Sequence, residues 1–186
     1  GEGQTFEIVI ALDEHYMFSI NQRVRSNADA AVIPYAYINR SYEEGKQHYG
    51  ILHEGPMGIM EGSLEEIPYK DLREKGNKVF ENASGWLGVT DKYWLTSMIP
   101  QGNFKATFSH YEKNGKNRYQ VDYLGAPQSL VAGATAEQRL MLFAGAKELA
   151  AIEAYTAGDA QSGLPPIPLF DRAIDFGSLY FLTKPM

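Results

Sequence analysis

The sequence predicts an all-β fold, a sandwich of short strands with helix confined to the C-terminal end. Three observations carry this: apolar and polar residues alternate with a period of two over the first three quarters of the chain, turn signals punctuate the alternation, and the texture becomes helical near Ala146. Many short strands separated by frequent turns read as a sandwich rather than a parallel α/β sheet.

The strands come first. Phe6, Ile8 and Ile10 fall on one face with Glu7 between them, and Tyr16, Phe18 and Ile20 repeat the pattern against Ser19 and Asn21. Ala36 and Ile38 oppose Tyr35, Tyr37 and Asn39. Phe104, Ala106 and Phe108 alternate with Lys105 and Thr107, and Tyr119, Val121 and Tyr123 with Gln120 and Asp122. Such alternation is the signature of a half-buried strand. Turns are expected at Ser26–Asp29, Lys75–Asn77, Gln101–Asn103 and Lys113–Lys116. The last two suit hairpins, because Asn and Gly accept the positive φ that tight turns need. Residues 1–146 are read as the sandwich.

From Lys147 to about Ala157, Ala, Glu and Leu dominate, and Leu149 and Ile152 stand at helical spacing, with Gly158 to end the helix. Residues 158–168 hold prolines, glycines and small polar residues and read as a linker. A second helix is expected over about Leu169–Leu182 within the terminal stretch 169–186. Asp171, Arg172, Asp175 and Ser178 form its narrow polar stripe, and Phe170, Ile174, Phe176, Tyr180 and Phe181 lie among its apolar residues. Such a helix lies either at a membrane surface or as a cover on the sandwich.

Composition excludes several functions. The 186 residues suffice for one domain with a core, and the 12 Tyr, 9 Phe and 2 Trp supply ample surface to bury. A net charge of −6 with scattered Lys and Arg speaks against a nucleic-acid partner. The absence of cysteine removes disulfides, thiolate metal sites and thiol nucleophiles. Histidines stand at 15, 48, 53 and 110, and none has the spacing of a metal helix. No serine elbow or phosphate loop is present. No catalytic residue, metal ligand or cofactor is therefore assigned. The aromatic group Trp86, Tyr93 and Trp94 reads either as core or as the wall of a ligand cleft, and Gly85 and Gly88 as places where the backbone bends beside a large ring. Tyr49–Tyr69, with Ile51 and Met57 among glycines and Pro56, is expected to leave a sheet edge or groove open to a partner.

Several motifs in order carry a resemblance. They are Ile51-Leu52-His53-Glu54-Gly55, Tyr69-Lys70-Asp71-Leu72, Gly85-Trp86-Leu87-Gly88-Val89-Thr90-Asp91-Lys92-Tyr93-Trp94, Tyr123-Leu124-Gly125, Leu142-Phe143-Ala144-Gly145-Ala146-Lys147-Glu148 and Tyr180-Phe181-Leu182-Thr183-Lys184-Pro185-Met186. Together they span most of the chain from Tyr16 onward, and the set resembles the periplasmic domain of the YidC/Oxa/Alb membrane-insertase family. The resemblance implies a β-supersandwich of the galactose-mutarotase type with two C-terminal α-helices. It also implies that part of the first sheet lies outside this chain and that a transmembrane segment follows Met186. Insertase activity resides in that family's membrane core, so the role implied here is accessory and non-enzymatic. The implied setting is the periplasmic side of the bacterial inner membrane. The implied partners are SecDF and the Sec translocon, nascent inner-membrane proteins, and the membrane surface. Leu169, Phe170, Ile174, Phe176, Tyr180 and Phe181 would face lipid or the transmembrane core. Trp86, Tyr93, Trp94, Tyr49, Ile51 and Met57 would form a cleft or partner surface. The alternative is a carbohydrate-binding or aldose-epimerase-like protein using the aromatic cleft.

Overall fold

The structure, a computed structural model, describes residues 3–43, 52–159 and 164–174. In chain order it has β1 (Gln4–Leu12), β2 (Met17–Ser26), β3 (Ala30–Val32), β4 (Tyr35–Ser41), β5 (Gly55–Met60), β6 (Ser63–Glu66), α1 (Tyr69–Lys75), β7 (Lys78–Ala83), β8 (Gly85–Thr90), β9 (Trp94–Pro100), β10 (Phe104–Lys113), β11 (Lys116–Gly125), β12 (Gln128–Leu130), β13 (Thr135–Ala146), α2 (Leu149–Ala157) and a 3-10 turn, Phe170–Ala173. A seven-stranded sheet runs β1-β2-β13-β9-β8-β5-β6, a four-stranded sheet runs β4-β11-β10-β7, and β12 pairs with β3. Every pairing is antiparallel.

Two cores result, one on each face of the large sheet. Between the sheets, Met60, Leu87, Val89, Met98 and Leu140 of the large sheet meet Phe104, Ala106, Phe108, Tyr119, Val121 and Tyr123 of the small one. On the other face, Met57, Ile59, Trp86, Leu95, Ile99 and Phe143 are covered by α2 and by Ile167, Phe170 and Ala173. Neighbouring residues such as Ile59 and Met60, or Trp86 and Leu87, therefore enter different cores, as the pleat requires. That explains the near-continuous apolar texture of β5, β8 and β9: these strands are buried on both faces.

Local chemistry sets the elements. Asn114 and Gly115, both at positive φ, form the two-residue turn between β10 and β11. Gly85 at φ +124 has no room for a Cβ against the Ile59 carbonyl, so close strand approach requires glycine there. Helix α2 buries Ala151, Ile152 and Tyr155 and ends where the Gly158 N–H donates to the Ala154 carbonyl.

The sandwich, the β10–β11 hairpin and the helix after Ala146 follow the expectation, but the turn at Gln101–Asn103 closes no hairpin, because it carries the chain from β9 in the large sheet to β10 in the small one. Helix α1 also departs from the expectation: it lies mid-chain and is held by only two buried residues, Tyr69 and Leu72, too few to give a helical periodicity. Of the second C-terminal helix, the described part is the 3-10 turn followed by Ile174 in extended backbone; 175–186 lie outside the described residues. Ile167 and Phe170, within and just after the expected linker, are fixed in the outer core, with the Ile167 N–H donating to the Tyr155 carbonyl.

Candidate functional site

The large sheet overhangs the small one. Directly opposed residues of an antiparallel pair share a face. Phe6–Val24, Ile8–Gln22, Ile10–Ile20 and Leu12–Phe18 are such pairs, and Ile20 packs against the inter-sheet core. The remaining apolar members of these pairs thus continue the core face outward, past the edge of the four-stranded sheet. Phe6 is 62 % exposed and Ile10 61 %, so the half-buried strand expected for Phe6, Ile8 and Ile10 is instead an uncovered one. A groove of 380 Å³ runs here, lined by Phe6, Ile8, Val24, Ile33, Tyr35 and Ala136. Among the described residues β1 pairs only with β2 and β4 only with β11, so one backbone edge of each stands open beside this face. A long, apolar, unprotected edge is a template for an extended polypeptide. The sequence signal was available: Ile8 to Leu12 is continuously apolar, as befits a strand covered on both faces, not one.

The β1–β2 turn is tied to the outer layer. Asp13 accepts hydrogen bonds from the Tyr155 hydroxyl at 2.6 Å and from the backbone N–H groups of His15 and Met17 at 2.8 and 2.9 Å. Burial works against the Asp13 carboxylate, but these hydrogen bonds and the nearby His15 outweigh it and hold it below the usual carboxylate range. Burial, then the bond to Asp13, pushes the Tyr155 phenol upward. The Tyr16 ring, at φ +72, lies over Gly145, where any Cβ would collide with it.

The expected aromatic group divides. Trp86 is wholly buried, against Phe170. Tyr93 and Trp94 are 64 % and 59 % exposed at the β8–β9 turn. Tyr93 lines a small cleft with Leu52, Lys92, Lys147, Glu148 and Ile174, whereas Trp94 borders Ile38, Asn39, Arg40 and Val89. The turn is braced: the Asp91 N–H donates to the Trp94 carbonyl at 2.8 Å, the Lys147 N–H to the Tyr93 carbonyl at 2.9 Å, and Arg40 holds the Asp91 carboxylate at 2.7 Å. Burial opposes the Arg40 cation, and Asp91 more than offsets it.

Of the other expected partner residues, Met57 is buried because β5 is an interior strand between β8 and β6. The edge of that segment is β6, which is short and presents Glu65 and Glu66. Tyr49 and Ile51 lie outside the described residues. Phe170, expected at lipid, is wholly buried, since its ring fills the space among Trp86, Phe143 and Tyr155. Leu169 and Ile174 are partly buried at the rim of the same core. Phe176, Tyr180 and Phe181 lie outside the described residues.

The described histidines do not converge. His15 sits in the β1–β2 turn, His53 lies 3.1 Å from the Pro56 carbonyl, and His110 lies 2.8 Å from the Asn117 side chain on the small sheet. Among the described residues no three His, Asp or Glu side chains are grouped as for a metal ion. No helix among them is long and apolar enough to cross a membrane.

A double sheet with a covered centre, an apolar overhang and open edges defines the class as a β-supersandwich. A solved galactose mutarotase related enzyme from Lactobacillus acidophilus shares this fold at TM-score 0.50 and 10 % identity, the likeness covering 76 % of this chain and 61 % of that one. At that identity it shows architecture and no chemistry. The chain belongs to the YidC periplasmic domain family, whose match runs over residues 1–186. The membrane protein insertases YidC of Rickettsia felis and Rickettsia conorii are 37 % and 38 % identical to it over its whole length. The chain spans 33 % of the length of each.

Proposed function

We propose that this chain is the periplasmic accessory domain of an inner-membrane protein insertase. In this reading it assists insertion and folding of inner-membrane proteins with the Sec translocon by binding polypeptide rather than by chemistry. The observation that carries the reading is the uncovered apolar face of β1 beside the open edge of β4. Its chemistry suits an extended strand: backbone groups along the edge give affinity, and alternate apolar side chains enter the groove. SecDF and nascent inner-membrane chains are the partners proposed for it. The membrane surface is proposed as a partner of Ile174 and residues 175–186, with Phe170 serving instead to anchor that stretch to the sheet.

The test is a photo-crosslinking side chain at Ile8 in the full-length insertase, in inner-membrane vesicles, during insertion of an insertase-dependent substrate. Adducts with SecDF or the substrate at Ile8, and none at Lys113 in the β10–β11 turn, are expected. Their absence at Ile8, together with normal insertion by the triple variant Phe6→Asp, Ile8→Asp and Ile10→Asp, would overturn the reading. These side chains are exposed, so that variant is expected to change stability by less than about 1 kcal/mol.

A further inference from the structure

We infer that the β8–β9 turn, Asp91 to Trp94, is a phospholipid-interface contact, separate from the polypeptide-binding face and from residues 175–186. Lys92, Tyr93 and Trp94 follow one another at the tip of the large sheet, and the two rings are the most exposed large aromatics at that end. They lie on opposite faces of the sheet, Tyr93 towards Leu52 and Ile174, Trp94 towards Ile38 and Arg40. A turn that exposes two large rings on both sides forms an aromatic wedge. Exposing so much apolar surface to water is unfavourable, and here it does not arise from a loose loop. The turn is fixed by its own backbone hydrogen bond, by the Lys147 N–H on the Tyr93 carbonyl, and by the Arg40–Asp91 pair.

The chemistry of the tip selects the occupant. Trp and Tyr carry an apolar body and a polar handle, the combination that settles at the boundary between headgroup and acyl chain. The Lys92 ammonium stands 5.0 Å from the Tyr93 ring centroid and is the cation the tip offers to a lipid phosphate, while Lys147 in the same cleft donates to the Thr90 hydroxyl at 3.0 Å. The turn's carboxylate, Asp91, is paired with Arg40, and Glu148, the cleft's other carboxylate, accepts from the Tyr16 hydroxyl at 3.4 Å. Ile174, the last described residue, lines the cleft as well, so the chain leaves its described part at this end of the sheet.

The chain has no cysteine, so a single one can be placed at will. Leu52→Cys, beside Tyr93 in the cleft, and Asn103→Cys, at the opposite end of the sheet, each carry an environment-sensitive fluorophore. Each is mixed with vesicles of phosphatidylethanolamine and phosphatidylglycerol. At residue 52 a blue shift and quenching by a shallow spin-labelled lipid are expected, and at residue 103 neither. The unlabelled double variant Tyr93→Ser and Trp94→Ser should partition into these vesicles roughly tenfold less, with an unchanged melting curve. No vesicle-dependent shift at residue 52, or equal shifts at both positions, would overturn the inference. So would a shift without vesicles that grows with protein concentration, which would mark a second copy as the occupant. A chain ending at Ile174 that loses partitioning, while the double variant keeps it, would place the contact in residues 175–186 and overturn it too.

Discussion

Phe170→Ala measures how firmly the C-terminal stretch is fastened to the sandwich. The Phe170 ring is wholly buried, with centroids 5.3 Å from Trp86, 5.7 Å from Phe143 and 6.4 Å from Tyr155, all nearly edge-on. Truncation opens a void of about 100 Å³, which at ~24 cal/mol per Å³ costs about 2.4 kcal/mol. Lost transfer energy adds about 2 kcal/mol, for a total of about 4 kcal/mol. That is a large share of the ~5–15 kcal/mol that holds a typical domain. Urea unfolding followed by far-UV circular dichroism and by emission of the buried Trp86 should show the midpoint falling by about 2 M, at a slope of about 2 kcal/mol per M. Phe170→Leu, which keeps most of the volume, should lose less than half as much. A loss below about 1 kcal/mol for Phe170→Ala would show that the stretch is not seated in this core, and would return Phe170 to the candidates for lipid contact.

Tyr155→Phe should cost about 1 kcal/mol at neutral pH, modest for a bond to a carboxylate because Asp13 is partly solvated. Its pH signature is more diagnostic. The folded Asp13 pKa is depressed, so its stabilisation is present above the unfolded value of about 3.9 and is lost as pH falls through the folded value. The folded Tyr155 pKa is raised, so stability is lost as pH rises above about 10, where the unfolded chain ionises first. Tyr155→Phe should therefore weaken the acid-side dependence and remove the alkaline loss at Tyr155, and an unaltered stability–pH curve would contradict the contact. Gly145→Ala should destabilise by about 1–3 kcal/mol, because its methyl group meets the Tyr16 ring. Tyr16→Ala in that background should recover part of the loss, and strict additivity of the two changes would refute the clash.

Much of this architecture was legible because alternation reports burial directly. The β10–β11 hairpin could be read from Phe104 to Tyr123, each apolar residue facing the inter-sheet core and Asn114-Gly115 dictating the turn. What could not be read is which layer covers which face. Trp86 and Trp94 look alike in sequence, yet one faces the outer core under Phe170 and the other stands beyond the rim of the small sheet. Helical spacing makes Phe170 read as lipid-facing surface, whereas Phe170–Ala173 form a single 3-10 turn. Leu169 sits in the left-handed region at φ +56 and Ile174 is already extended. Helix α1 was missed for the converse reason: it is too short to show a period.

The two halves of the large sheet differ in what fills their faces, and this separates stability from function. Strands β5, β8, β9 and much of β13 are covered by the small sheet on one side and by α2 with Phe170 on the other, so a substitution there acts through packing. Strand β1 lacks the inner cover, whereas β2 sends Met17 into the outer core and packs Ile20 against the inner one. The exposed Phe6, Ile8, Ile10 and Leu12 contribute little to this chain's own core, and removing them should leave the covered half folded. In the proposed reading the exposed side chains of β1, itself paired along its length with β2, are buried only when a polypeptide docks, and the open edge suits an occupant that can supply a strand. The Asp13–Tyr155 bond clamps one end of that wing to the outer layer. In the proposed reading the wing is a template fixed at this end, so that a docking strand need order only itself.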